Sequence, residues 1–258
     1  MLDNKSIKNL PIGLHGNFYS HQLTFFLINN NEFKNIMMLF NKCNLGLNKI
    51  ILKSFTEGVE LIKEKNYDTF IKINIYQKKI QIIYFYNSAF CYYQNFNFGS
   101  DLISSDISKV CSLDNDTVLT VLSEINLHCK DSYLDKKYFQ GKNFRKISIQ
   151  HIYDISLARI EEIIDLIYNK NVNLNHLKIN KDRIFLKFED QNIYNNFDKD
   201  FINQFNDIEV SSVYHDKQLN HSINASGELL SKGWIKEAIP VTHKKKSWIS
   251  RIFSGLFE

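Results

Sequence analysis

Proline occurs only twice in the 258 residues, at Pro11 and Pro240. Two prolines cannot punctuate many loops, so Asn, Asp and Lys must mark most turns. Glycine is scarce as well, with nine in the chain. A loop that cradles phosphate needs glycine so that the backbone can approach the anion. Neither GxGxxG nor GxxxxGK[ST] occurs, and GxSxG and HExxH are also missing. The cysteines Cys43, Cys91, Cys111 and Cys129 form no CxxC pair and fit no zinc spacing. They read as free thiols in a reducing compartment. The beginning of the sequence, MLDNKSIKNLPIG, holds no apolar run of the kind a signal peptide needs. No stretch approaches the roughly 18 apolar residues of a membrane span. A formal net charge of +4 is too small for this length to argue for nucleic acid.

The remaining candidates for chemistry are weak. Among the eight histidines, His215 and His221 come closest to a pair, but no cysteine or carboxylate cluster accompanies them in a ligand pattern, so no metal site is expected. Glu161 and Glu162 are adjacent and would point about 100° apart on a helix, which rules out a catalytic carboxylate pair. No catalytic residue is expected, and the chain does not read as an enzyme.

What is present is a globular body, with 44% hydrophobic and 23% charged residues. The pattern opens as β-α-β-α. Strands are expected at Gln22–Ile28 and Asn48–Leu52, with helices at Phe33–Cys43 and Ser54–Lys63. Ser54 with Glu57 three residues on matches a capping box. Three strands follow, Thr69–Ile75, Lys79–Phe85 and Ala89–Phe96, separated by short polar breaks that suggest an antiparallel meander. Helices are expected at Asp101–Val110 and Asp114–Glu124, then a loop over Asp131–Arg145. The longest helical pattern is Ser148–Tyr168, with Ile149, Ile152, Ile155, Leu157, Ile160, Ile163, Ile164 and Ile167 on its apolar face. A strand at Arg183–Phe188, a short helix at Asn203–Phe205, a strand at Ile208–Val213 and a helix at Ile223–Ile235 complete the body. The class is α/β, in the α+β sense.

The tail has a pattern of its own. Trp248, Ile249, Ile252, Phe253, Leu256 and Phe257 recur at i, i+1, i+4, i+5, i+8 and i+9, which puts all six on one helical face. Ser247, Ser250, Arg251 and Ser254 fall on the other, and Lys244, Lys245 and Lys246 immediately precede the helix. An isolated helix this short is marginal in water and needs a surface. Aromatic and aliphatic side chains opposite basic ones suit a lipid headgroup boundary. Each Lys or Arg near an anionic leaflet adds roughly 1 kcal/mol. The competing reading is a terminal helix docked on the protein's own core.

With these pieces in order, the chain resembles the bacterial actin-like division protein family FtsA. KKKSWISRIFSGLFE is similar to that family's membrane-targeting C-terminus. Gly13-Leu14-His15-Gly16 through Leu61 resembles its small inserted subdomain. Phe98-Gly99-Ser100 with Ser104-Ser105-Asp106-Ile107 resembles its GG…TNDI turn and helix, and Ala158-Arg159-Ile160-Glu161-Glu162-Ile163 its PRLEEI helix. The departures are equally specific. The family's DxGGGTTD phosphate loop aligns with Asn74-Ile75-Tyr76-Gln77-Lys78-Lys79-Ile80, which has no glycine and no acidic residue. Its adenosine-contacting GG turn falls at Lys187-Phe188-Glu189-Asp190. Lys78 and Lys79 could attract phosphate, but they read better as exposed hairpin residues.

The resemblance implies a degenerate, partial actin-like (ribonuclease-H-like) fold without the first actin-like subdomain. Three parts are expected: a small inserted β-α-β-α subdomain over 9–66, an actin-like domain over 67–239 with 114–168 as its inserted part, and a basic linker with the amphipathic helix over 240–258. It also implies an adaptor at the cytoplasmic side of the membrane, at the division site. Its partners would be an FtsZ-type polymer, an anionic membrane surface and further copies of itself, with no nucleic acid. ATP belongs to the family, but its site residues are missing here, so no cofactor is expected.

Overall fold

The computed structural model describes residues 2, 3, 5, 13–20, 24–47, 50–65, 67–127, 131–139, 144–177, 183–206, 208–214, 223 and 226–227. The chain divides into two units, residues 1–50 with 224–258, and residues 51–223. In the first, helix α1 (Asn30–Lys42) is capped by Asn29, whose side chain accepts from the Asn31 N–H. Residues 24–28 and 50–52 form no strand. Their apolar composition suits one, but a strand exists only when a neighbour completes its ladder. The expected helix at Ile223–Ile235 lies almost entirely outside the described residues, as does the tail.

The second unit is built on a five-stranded sheet in the order β3-β2-β1-β4-β5. Strands β1 (Phe70–Ile75), β2 (Ile80–Tyr86) and β3 (Ala89–Phe96) form the expected antiparallel meander. Asn87 and Ser88 turn the second hairpin with φ of 48° and 64°, the left-handed conformation that a two-residue hairpin loop needs. Strands β4 (Arg183–Phe188) and β5 (Val210–Tyr214) then add in parallel beside β1. The carboxyl ends of β1, β4 and β5 therefore lie together.

Alternation sorts β1 residue by residue. Ile71, Ile73 and Ile75 face a helical layer made by α3 (Asp101–Cys111), α4 (Asn115–Glu124), α5 (Ile149–Ile164) and α7 (Gln191–Asn203). Ile103, Ile107, Ile152, Ile160, Phe197 and Phe201 are fully buried there. At about 1.5–3 kcal/mol for each buried aliphatic or aromatic side chain, this layer is the main source of stability. Ser148 caps α5, accepting from the His151 N–H at 3.2 Å. The helical pattern expected to reach Tyr168 continues past Ile164 as a π turn over Asp165–Asn169, and a short helix α6 (Val172–Asn175) follows. Among the described residues, no helix is long and apolar enough to cross a membrane.

Two stretches singled out in the sequence meet in this layer. Arg159 of α5 donates through Nε to Asp106 of α3 and through Nη1 to Glu162. The Arg159–Asp106 pair is about three-quarters shielded from solvent, so it should outlast an ordinary surface pair. A double-mutant cycle of Arg159→Ala and Asp106→Ala, followed by urea unfolding, is expected to give a coupling of roughly 1–2 kcal/mol.

The opposite face of the sheet is covered by α2 (Lys53–Lys65). This helix belongs with the sheet, so the sheet unit begins at Ile51 and not near residue 67. The reason is burial: Ser54, Thr56, Glu57 and Val59 are each less than 5% exposed. The capping box does not form. The helix starts one residue earlier than expected, and both Ser54 and Glu57 turn toward the sheet.

Candidate functional site

Ligands of open α/β sheets bind outside the carboxyl ends of the parallel strands. Here that end of β1 carries the turn Tyr76–Lys79, closed by the Tyr76 N–H donating to the Lys79 carbonyl at 3.0 Å. Gln77 and Lys78 at its tip both keep negative φ, so the turn needs no glycine. Its outward carbonyls are already engaged. The Tyr76 oxygen accepts from the Ser100 N–H and the Gln77 oxygen from the Asp101 N–H, both at 3.0 Å. The first turn of α3 is thus spent on the chain's own hairpin. Gly99 makes this possible: a Cβ there would lie 2.3 Å from both carbonyl oxygens.

Beside the turn is an open cleft of about 800 Å³, lined by Lys53, Ser54, Tyr76, Lys78, Lys79 and Glu189 among others. Lys78 and Lys79 are exposed hairpin residues, as expected. The Lys79 ammonium sits 4.8 Å from the centre of the Tyr76 ring. Glu189 brings a carboxylate to the same turn, accepting from the Gln77 N–H at 3.4 Å.

Behind the cleft, pairing register lines up a polar row across four strands. Lys187 of β4 is level with Asn74 of β1, Asn74 with Gln81 of β2, and Gln81 with Asn95 of β3. Gln81 accepts from Ser54 and Asn74, both at 3.3 Å, and donates to Tyr93 Oη at 2.9 Å and Asn95 Oδ1 at 3.0 Å. Toward the other end of the strands the same face is apolar. There Phe70, Phe85, Phe90 and Phe185 pack with Phe55 of α2.

Glu57 descends from α2 into this polar region. Lys72 Nζ reaches its Oε2 at 2.9 Å, Lys187 Nζ its Oε1 at 3.2 Å, and Asn74 Nδ2 its Oε2 at 3.1 Å. Burial alone would push the Glu57 carboxyl up. The Lys72 and Lys187 charges and the hydrogen bonds from Lys72 and Asn74 outweigh it and hold the group down at about 2. Burial likewise pulls the Lys72 ammonium below its ordinary range, opposed by Glu57.

The sequence does not mark Lys72 or Gln81; Asn74 and Lys187 enter it only as the ends of two glycine-free stretches, and Glu57 only as half of an expected capping box. The one available signal is FIKINI, a strand that is apolar except for Lys72 and Asn74 on the same face. The expected membrane-binding residues, Lys244 to Phe257, lie outside the described residues.

No known protein family matches the chain by sequence, and no curated protein does. Solved structures do match by shape. MreB5 of Spiroplasma citri bound to AMPPNP aligns with a TM-score of 0.54 at 14% identity, over 78% of this chain and 65% of that one. The same protein bound to ADP gives 0.50 at 14% identity, with the same coverage. The ethanolamine utilization protein EutJ of Carboxydothermus hydrogenoformans gives 0.47 at 10% identity. The chain therefore has an actin-like, ribonuclease-H-like fold, and its match spans 65% of the length of the MreB5 structures.

Proposed function

We propose that this chain is a nucleotide-independent adaptor built on an actin-like fold, which holds an FtsZ-type division polymer at the cytoplasmic face of the membrane. The observation that carries the reading is the Tyr76–Lys79 turn. A phosphate-gripping turn needs glycine and free N–H donors; this one has no glycine, and its Tyr76 and Gln77 N–H groups already donate to Lys79 and Glu189. A fold stripped of that grip retains its use as a rigid body between two binding partners. The sequence supplies the membrane side, with Trp248, Ile249, Ile252, Phe253, Leu256 and Phe257 on one face and Lys244, Lys245, Lys246 and Arg251 beside them. Weak apolar burial and a basic cluster are the two signals that reversible anchoring uses. Polymer avidity and self-association then multiply single contacts.

Liposome co-sedimentation tests the anchor. Full-length protein is expected to bind vesicles containing anionic lipid, and deletion of Ser247–Glu258 to weaken binding by about tenfold or more. Equal binding without the tail overturns it. Co-sedimentation with assembled FtsZ tests the partner.

A second reading, an actin-like ATP-binding protein, draws on the cleft with Lys53, Lys78 and Lys79 and on the nucleotide-bound states of the MreB5 structures. Micromolar affinity for Mg-ATP in a titration of the full chain would favour it over the adaptor.

A further inference from the structure

Two ammonium groups and one carboxylate share the space between α2 and the sheet. Lys72 and Lys187 approach different oxygens of Glu57, and Asn74 adds a third donor. Lys53 stands 3.9 Å from Oε1. Donors from two neighbouring strands that converge on one planar anion are what an oxyanion site consists of. Glu57 is 1% exposed and Lys72 6%. The cluster is one side-chain row behind the cleft, because Gln81 bonds Asn74 inside while Gln81 and Ser54 both line the cleft.

We propose that this is an anion site whose occupant is the chain's own Glu57 carboxylate. A buried lysine with a second, partly buried one beside it requires a counter-anion. Such a counter-anion can come from solution, as a phosphate or a small carboxylate. Here α2 delivers it on a tether, at an effective concentration that a free anion cannot match. The tethered anion pins α2 to the carboxyl ends of β1 and β4 without any diffusible ligand. The assignment rests on the nucleotide-independent reading for its meaning and supplies the device behind it.

Glu57→Ala vacates the site. The full-length variant is expected to melt about 10 °C below the parent. Sodium formate or inorganic phosphate should raise its midpoint saturably, well beyond the effect of sodium chloride at equal ionic strength. The parent gives the general effect of each salt, including the stabilisation that phosphate lends any folded chain, and the variant's gain is measured as the excess over it. A Glu57→Ala variant that responds to formate and phosphate no more than the parent does overturns the assignment. If Glu57→Ala does not fold in any salt, Glu57→Gln takes its place, since it keeps the volume and one acceptor oxygen. Glu57→Gln leaves the two lysines without their counter-charge and is expected to melt lower than the parent; parental stability in that variant overturns the assignment. ATP binding by the parent would remove the nucleotide-independent reading and leave Glu57 as the resident anion, whereas an anion-indifferent Glu57→Ala would do the reverse.

Discussion

Gly99→Ala should lower the unfolding free energy by about 3–5 kcal/mol, a large effect for one methyl group. The added Cβ meets the carbonyl oxygens of Tyr76 and Gln77 at 2.3 Å. Backbone oxygens in a closed turn cannot rotate away as a flexible side chain could. Relief therefore requires α3 to back off the hairpin, and both bonds from Ser100 and Asp101 lengthen together. Four backbone groups lose partners at once, on top of the overpacking itself. The backbone conformation of Gly99 is open to any residue, so the loss reports proximity and not glycine's freedom. Gly46→Ala is the control: a Cβ there has nothing within 4 Å, and the change should stay within about 0.5 kcal/mol. Urea unfolding followed by circular dichroism measures both. A Gly99→Ala protein within 1 kcal/mol of its parent would mean that the contact between α3 and the hairpin is looser than described.

Acid should remove about 3 kcal/mol of stability through Glu57 alone. The sign follows from direction. The carboxyl sits at about 2 in the folded chain against an ordinary 4.5, so the unfolded chain binds its proton more tightly. The contribution is fully present above pH 4.5 and is lost as pH falls from there toward 2. Other carboxylates titrate over the same range, so the parent curve is a sum. Glu57→Gln isolates the part that matters. Its stability at neutral pH is lower, and the difference between parent and variant should shrink across that window. A difference that stays constant from pH 7 to pH 2 would sink the account of Glu57 as a buried anion.

Most of the sheet was legible because its signals are local. Strand alternation with short polar breaks marked β1, β2 and β3, and RIFLKF marked β4 within its observed bounds. Isoleucine spacing marked α5. Helix α7 was harder. Ile193, Phe197 and Phe201 recur at four-residue intervals and are buried, but the Asn and Asp residues between them favour caps and turns over helix interiors. Only the end of it, near Asn203, was expected. The strands expected near residues 22–28 and 48–52 show the reverse error: a composition that suits a strand does not supply a partner for one.

The site was hidden for a different reason. Lys72, Asn74, Gln81, Asn95 and Lys187 are scattered over more than a hundred positions, and only pairing register brings them level. Register depends on turns and on the order in which strands add, and no single strand encodes that. The Ser54/Glu57 pair illustrates the same limit. Its spacing fits a helix cap, yet the sheet beneath offers both side chains better partners.

The ion cluster also has a history in time. Glu57 precedes Lys72 by 15 residues and Lys187 by 130. A ribosome adding about 5–20 residues per second puts roughly 6–26 s between the emergence of Glu57 and that of Lys187. Throughout that interval the meander of β1 to β3 lacks its β4 neighbour, and Lys72 lies on a strand with one bare edge. The carboxylate that answers its charge has already been made. A nascent half-sheet is thereby supplied with its own counter-charge before the second strand lysine arrives, and β4 docks Lys187 onto a Glu57–Lys72 pair whose own charges already cancel.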